Sequence, residues 1–372
     1  MKTMAALLRE QPGAWDVTEV DLDSPEYGEV LVEMVATGLC HSDDHFPTGD
    51  MPAANLPICG GHEGTAIVRE VGDGVVGLRE GDHIITSFIP ACGRCGPCAA
   101  GRQNLCDNGA ISGRGVQMDG TYRMHADGVD VSTMAAVGTF SQWQILDQLA
   151  CIKVADDLPL DVMCLLACGV PTGWGSATQA AGIRSGDVVV VMGCGGIGIN
   201  AVQGAAHVGA GHVIAVDPVA MKREMALKLG ATDAYATLDE ALGTIAHLTN
   251  GQGAAVVIIA IGVTGPGHVA AALSAIRKGG TVVVAGIGKR DMTSLPINLV
   301  DLTLFEKRLQ GALYGSAAPR AIVPELIGLY RSGKLKLEEL ITSRYRLEDI
   351  NAAYDDMRSG KNVRGIIEFG HK

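Results

Sequence analysis

Between residues 185 and 315, short runs of β-branched and apolar residues alternate with longer stretches in which apolar positions recur every three or four residues. The runs Val188–Met192, His212–Val216, Val256–Ala260, Thr281–Ala285 and Gln310–Tyr314 predict strands, and a further short strand is expected near Ala234. Helices are predicted from the end of the first strand's turn through Val208, and over Met221–Leu229, Leu238–Thr249 and His268–Ile276. Such alternation predicts six parallel strands with helices on both faces, an α/β doubly wound sheet that receives ligands at the carboxyl ends of its strands. This domain is expected to occupy residues 170–313.

The first predicted strand runs directly into Gly193-Cys194-Gly195-Gly196-Ile197-Gly198 and then into a helix. In a strand–turn–helix unit the first glycine permits the turn and the second lets backbone approach a pyrophosphate. The third allows close helix-to-strand packing, while the helix N-terminus offers N–H groups to the anion. Asp217 ends the second strand, where a carboxylate accepts from both ribose hydroxyls, so NAD is expected over NADP. Lys222 and Arg223 stand close enough in sequence to keep a 2′-phosphate as an alternative. An ordinary glycine turn followed by a surface aspartate is the competing reading, and the complete βαβ context argues against it.

A length of 372 residues suggests two domains, and 50 glycines with 4% aromatics fit an α/β enzyme. The net charge of −12 comes without basic blocks, so no nucleic-acid footprint is present, and no apolar run is long enough to span a bilayer. The apolar run after Met1 is too short for a signal peptide, and the expected location is the cytoplasm, where thiols stay reduced. Cys92, Cys95, Cys98 and Cys106 therefore read as a closed tetrathiolate zinc site rather than as two disulfides. Such a site stabilises a loop and has no open coordination position for a substrate. The remaining Cys59, Cys151, Cys164 and Cys194 read as small core or turn residues, with Cys194 the only one in a functional loop.

Two further segments, Gly38-Leu-Cys40-His41-Ser42-Asp43-Asp44-His45 and Gly60-Gly61-His62-Glu63, concentrate metal-capable and proton-carrying groups, and Cys168 follows in Leu165-Leu-Ala-Cys168-Gly-Val-Pro-Thr172. Each alone is most simply a buried thiol or a core histidine. Together, Cys40, His62 and Cys168 supply two thiolates and one imidazole, the donor set of a catalytic zinc with an open fourth position.

These motifs, with the four-cysteine lobe, the glycine turn and the closing Asn362-Val-Arg364-Gly, occur in the order found in the zinc-dependent medium-chain alcohol dehydrogenases, which the chain resembles from Met4 to Phe369. The resemblance implies a GroES-like, mainly β catalytic domain made of residues 1–169 and 314–372, and two zinc ions per subunit. It implies Glu63 as a transient or outer group at the metal, and Ser42 and His45 as a proton relay. It further implies cofactor contacts from His41 and Arg364 at the pyrophosphate, Thr172 at the nicotinamide, Asp217 and Lys222 at the adenosine ribose, and backbone near Ile261, Ile287 and Leu313. The expected partners are a small alcohol or aldehyde, a redox carrier and a second copy in a homodimer or homotetramer, with nucleotide domains joined through the strand near Gly280–Gly286.

Within that family, the start Met1-Lys-Thr, the run Gly61-His62-Glu63-Gly, the segment from Asp119-Gly-Thr-Tyr to Gly138-Thr-Phe-Ser-Gln and Gly360-Lys-Asn-Val-Arg364-Gly most resemble the actinobacterial nitrosodimethylaniline-dependent enzymes. Those resemble nicotinoproteins, in which bound NAD(H) is reoxidised in place. Two other readings compete. A glutathione-dependent formaldehyde dehydrogenase would carry an arginine where this chain has Ala110, although Arg114 is near; a silent NAD-binding sensor or scaffold would not need Cys40, His62 and Cys168 together. Phe88 and Phe140 are candidates for an apolar substrate pocket, with core packing as the alternative.

Overall fold

Val188–Met192 and Ala254–Ile259 are apolar and buried along their whole length, as strands covered on both faces must be. In the computed structural model, which describes residues 1–370, they are neighbours at the centre of a six-stranded sheet. Its order is Asp233–Tyr235, His212–Val216, Val188–Met192, Ala254–Ile259, Ile276–Val284 and Arg308–Gly311, with every pairing parallel. Helices Gly198–His207, Ala220–Lys228, Leu238–Leu248 and Pro266–Ala275 supply the crossovers. The doubly wound expectation is met, and Val190, Ile214, Val257, Ile259, Ala272 and Val282 form its core.

Two details differ from the sequence reading. The last strand is Arg308–Gly311 rather than Gln310–Tyr314, because Leu313–Ser316 forms a 3₁₀ turn in which Tyr314 (φ 53°) and Gly315 (φ 63°) leave the extended region. The strand carrying Gly280, expected to form a subunit contact, is Ile276–Val284 and is paired on both sides. The open edge of the sheet is Arg308–Gly311, all four residues of which are exposed.

The chain divides into two compact units. One comprises Gly169–Ala317 and Leu329–Lys336 and contains this sheet. The other comprises Met1–Cys168, Ala318–Gly328 and the chain from Leu337 onward. It is mainly β. Lys2–Leu8, Trp15–Leu22, Met124–Ala126, Val129–Thr133 and Ile58–Cys59 close a barrel, beside a seven-stranded sheet in which Glu29–Gly38 pairs with Gly64–Val71, Trp143–Asp147 and Arg364–Glu368. Its core includes Leu7, Val32, Met34 and Ile145 and an aromatic cluster of Trp15, Phe140 and Tyr354, with Trp15 and Phe140 edge to face at 5.5 Å. Phe140 is therefore core, fully buried, rather than pocket lining.

Among the described residues no single helix is long and apolar enough to cross a membrane.

Candidate functional site

Strand register explains why two distant motifs meet. Thr37 of Glu29–Gly38 lies opposite Gly64 at the start of the next strand, so the chain just beyond Gly38 and just before Gly64 emerges at the same end of the pair. Cys40 and His62 are thereby brought together, and the sulfurs of Cys40 and Cys168, a nitrogen of His62 and an oxygen of Glu63 all lie within 4.8 Å of one another. All four residues are buried. Two thiolates, one imidazole and a nearby carboxylate suit zinc, and with Glu63 ion-paired to Arg364 the set Cys40, His62 and Cys168 would leave a coordination position for a substrate.

The surroundings prepare these ligands. Asp43, fully buried, accepts from His62 Nδ1 (3.0 Å) and from the Gly61 N–H (3.0 Å) through the same carboxylate oxygen. With Nδ1 committed, Nε2 is the nitrogen left available to a metal, as in a carboxylate–histidine–metal arrangement. Burial raises the Asp43 carboxyl above its ordinary range, with His62 opposing. Burial also works against charge on His62, but Asp43 and Cys40 outweigh it and raise that imidazole to about 10. Hydrogen bonding from Cys168 holds the Cys40 thiol well below its ordinary range against the effect of burial, and His62 and Arg364 act in the same direction. The Phe88 ring, half-buried, stands edge-on to the His62 ring at 5.4 Å.

Glu63 is ion-paired to Arg364 Nη2, and neither is exposed by more than 5%. Arg364 arrives because Ile366 lies opposite Gly38 in the neighbouring antiparallel strand. A Cβ at Gly38 would collide with the Glu63 carboxylate and stand 2.6 Å from Arg364 Nη2, so the pair occupies the space that this glycine leaves. Arg364 Nε is buried without a hydrogen-bond partner.

Cys92, Cys95, Cys98 and Cys106 also converge within 4.8 Å. All ten cysteines are free thiols. The Cys95 N–H donates to Cys92 Sγ and the Cys92 N–H to Cys106 Sγ, each at 3.3 Å. Main-chain donation from Arg94 and Cys95 lowers Cys92 to about 6, while burial pushes Cys98 up to about 12. Four sulfurs, with no fifth donor grouped with them among the described residues, make a closed tetrahedral set.

In the other unit the glycine turn shows three different needs. Gly193 has φ +87°, and a Cβ there would also press on the Ala260 carbonyl. Gly195 has open space where its Cβ would be, so that face of the turn is accessible to a ligand. A Cβ at Gly198 would overlap the Gly193 carbonyl. Asp217, 5% exposed, ties the turn to the second strand by accepting from the N–H groups of Cys194 and Val219, each at 2.8 Å. Arg223 donates to the carbonyls of Asp217 and Pro218, at 2.8 and 2.9 Å.

The pattern that defines the alcohol dehydrogenase GroES-like domain matches residues 26–156, and that of the zinc-binding dehydrogenases matches residues 196–332. The chain is 49% identical over 367 residues, 99% of each chain, to the NDMA-dependent alcohol dehydrogenase of Amycolatopsis methanolica. It belongs to the zinc-binding alcohol dehydrogenases. The crystal structure of benzyl alcohol dehydrogenase from Acinetobacter calcoaceticus superposes with a TM-score of 0.91 at 28% identity, covering all of both chains. The S-(hydroxymethyl)glutathione dehydrogenase of Candida maltosa is more distant, at 34% identity over 98% of this chain and 96% of that one.

In this alcohol dehydrogenase the other predicted residues fall as follows. Ser42 Oγ is 3.5 Å from Cys40 Sγ, and His45 is 2% exposed, on the short helix His41–Asp44 and its end. His41 is half-buried beside them. Thr172 is buried, Gly196, Ile197, Lys222 and Ile261 are half-buried, and Ile287 and Leu313 are exposed. Cys194 is fully buried, its thiol pushed up to about 12 by burial, so packing is its role. The sequence reading missed Asp43 as the partner of His62 and Gly38 as the space-maker. The only signal for Asp43 was its position inside the run Cys40–His45.

Proposed function

We propose that this enzyme oxidises an alcohol to an aldehyde or ketone at a zinc held by Cys40, His62 and Cys168, with Cys92, Cys95, Cys98 and Cys106 holding a second, structural zinc. The buried thiolate–imidazole set, with Asp43 behind His62, carries this assignment. When bound, the metal supplies Lewis-acid polarisation of the hydroxyl and the nicotinamide supplies the hydride acceptor. Ser42, beside Cys40, takes the hydroxyl proton and His45 passes it on. Phe88 gives the reacting carbon an apolar neighbour, and Glu63, held by Arg364, stays close to the metal ligands.

For the dinucleotide, Gly193, Gly195, Gly196, Ile197 and Gly198 cradle the pyrophosphate, and resemblance to the family adds His41 and Arg364 as its contacts. Asp217 and Lys222 receive the adenosine ribose, Thr172 the nicotinamide side, with backbone at Ile261, Ile287 and Leu313. NAD rather than NADP fits, because Arg223 is engaged by two main-chain carbonyls and Asp217 would repel a 2′-phosphate. Similarity to an NDMA-dependent enzyme supports a retained NAD(H) that a redox carrier reoxidises in place. Residues 1–169 with 314–372 then form the catalytic domain and 170–313 the nucleotide domain, except that Gly169, residues 314–317 and Leu329–Lys336 fall in the unit that holds the parallel sheet. Ten free thiols agree with a reducing cytoplasm.

A second copy belongs on the open sheet edge. Beside the exposed Arg308–Gly311 strand, the helix Leu299–Leu304 buries none of its residues, and Leu299, Val300 and Leu304 are 61–71% exposed. A strand with one open edge, flanked by apolar side chains, pairs with its own copy about a two-fold axis. Leu304→Lys with Leu309→Lys should convert dimers to monomers in analytical ultracentrifugation, and an unchanged mass would reject this edge.

Native mass spectrometry of protein purified without added cofactor tests the rest. Two zinc ions and one nicotinamide nucleotide per subunit are expected; two zinc ions alone would point to an ordinary exchanging dehydrogenase. Formaldehyde oxidation that requires glutathione would instead favour the formaldehyde dehydrogenase reading, for which exposed Ala110 and Arg114 offer little.

A further inference from the structure

The two nitrogens of His45 have different surroundings. Nδ1 stands 3.5 Å from Oδ2 of Asp50, an ion-pair distance, and Nε2 is buried with no hydrogen-bond partner. The other acids of the same segment are committed elsewhere: Asp43 to His62 and the Gly61 N–H, Asp44 to the Arg358 guanidinium at 2.5 and 3.2 Å. Asp50 is therefore the carboxylate that addresses His45.

Asp50 is also held in place. Gln11 Nε2 donates to the carbonyls of Phe46 (2.8 Å) and Met51 (3.0 Å), and Gln11 Oε1 accepts from the Ala53 N–H (2.8 Å). The Gly13 N–H donates to the Pro47 carbonyl and the Met51 N–H to the His45 carbonyl, at 3.0 and 3.1 Å. These bonds bracket Asp50 on both sides and tie its loop back to the histidine it faces.

We propose that Asp50 is a positioning residue that fixes His45 as the Nδ1–H tautomer, leaving the Nε2 lone pair as the proton acceptor of the relay. A neutral imidazole has one donor and one acceptor nitrogen, and an ionised carboxylate only accepts, so the nitrogen facing Asp50 carries the hydrogen. The buried, unpartnered Nε2 is then the only basic atom of the ring. This inference rests on the relay reading of Ser42 and His45 given above.

The test uses the zinc-loaded enzyme with its nicotinamide, labelled with ¹⁵N-histidine, and His45 assigned by comparison with His45→Gln. Long-range ¹H–¹⁵N spectra at pH 9 should report Nδ1–H for His45 in the wild type and Nε2–H in Asp50→Ala. Turnover of Asp50→Ala with an artificial acceptor should fall on the order of 100-fold, the scale of a lost general base, with KM for the alcohol unchanged. Asp50→Glu, which keeps the acceptor, should restore the Nδ1–H signature and most of the rate. An Nδ1–H tautomer persisting in Asp50→Ala overturns the proposal and leaves the relay reading standing. A changed tautomer with unchanged turnover overturns the relay reading itself, and the positioning role with it, while zinc content and alcohol oxidation remain as assigned.

Discussion

Replacing Gly38 with alanine tests whether this glycine exists to house a buried ion pair. Its φ is not positive, so the requirement is for space rather than for backbone conformation. The added methyl would overlap the Glu63 carboxylate and lie 2.6 Å from Arg364 Nη2 and 3.2 Å from the Glu63 Cβ. The strand cannot easily retreat, because the Gly38 N–H donates to the Glu63 carbonyl at 2.8 Å and residue 38 is paired to Ile366 on its other side. The pair must therefore separate inside the protein. Splitting a buried pair costs about 3–5 kcal/mol. Alanine returns about 0.4–1 kcal/mol through the lower entropy of the unfolded chain. A net loss of about 2–5 kcal/mol follows from those two terms. Urea unfolding of the zinc-loaded protein, read by tryptophan fluorescence, measures it, with turnover expected to fall alongside because Glu63 stands among the metal ligands. In a Glu63→Ala background the carboxylate is gone and the Arg364 guanidinium, released from its partner, can shift away from the methyl, so the cost of Gly38→Ala should shrink by about 2 kcal/mol or more, as coupled neighbours require. A variant within about 1 kcal/mol of wild type, or a cost that is the same in both backgrounds, would refute the reasoning.

Three further outcomes are expected. His125 bridges Asp23 (2.9 Å) and Asp130 (3.0 Å), and hydrogen bonding to Asp23 with the two carboxylate charges raises its pKa above the ordinary 6.5. Its contribution to stability is full below about 6.5 and is lost as pH rises through the raised folded value, so His125→Gln should flatten the urea midpoint across that window; a slope that survives the substitution would exclude the histidine as its source. Gly195→Ala should fold normally yet lose bound nicotinamide, since its Cβ meets open space, whereas Gly198→Ala should destabilise the protein through overlap with the Gly193 carbonyl. Calorimetry and cofactor content separate the two, and matching phenotypes would contradict the distinction. Cys98→Ser should lower zinc from two to one per subunit by elemental analysis and expose the 92–106 segment to protease, while two retained ions would refute the closed tetrathiolate assignment.

The nucleotide-binding fold is legible in the sequence because buried parallel strands read as unbroken apolar runs, and Val188–Met192 and His212–Val216 begin and end where the runs do. Legibility fails where the run and the ladder part company. Ile276–Val284 begins with Ile-Arg-Lys-Gly-Gly, which carries no strand signal, and the apolar end of Gln310–Tyr314 is turned out of the sheet by a left-handed Tyr314. The β-rich unit is not legible from periodicity at all. Its barrel closes through Ile58–Cys59, two residues with no local signature, paired to Leu7–Leu8 on one side and Ser132–Thr133 on the other. Only resemblance to a family anticipates such a closure.

At the metal site, residue type reveals donors and register reveals meetings. Cys40 and His62 converge because Thr37 faces Gly64, and Arg364 joins them because Ile366 faces Gly38, relations that no spacing within either motif encodes. The three aspartates of the 43–50 segment make the same point about charge. All three are acids in one short segment, yet Asp43 holds His62, Asp44 pairs with Arg358 and Asp50 faces His45. Their partners sit just before the strand Gly64–Val71, on the C-terminal helix Ile350–Arg358 and at the end of the short helix His41–Asp44. A carboxylate acts through the group it touches, so identical side chains within eight residues acquire three different effects, and substituting each by alanine should disturb three different observables: metal affinity at Asp43, docking of the C-terminal helix at Asp44 and the His45 tautomer at Asp50.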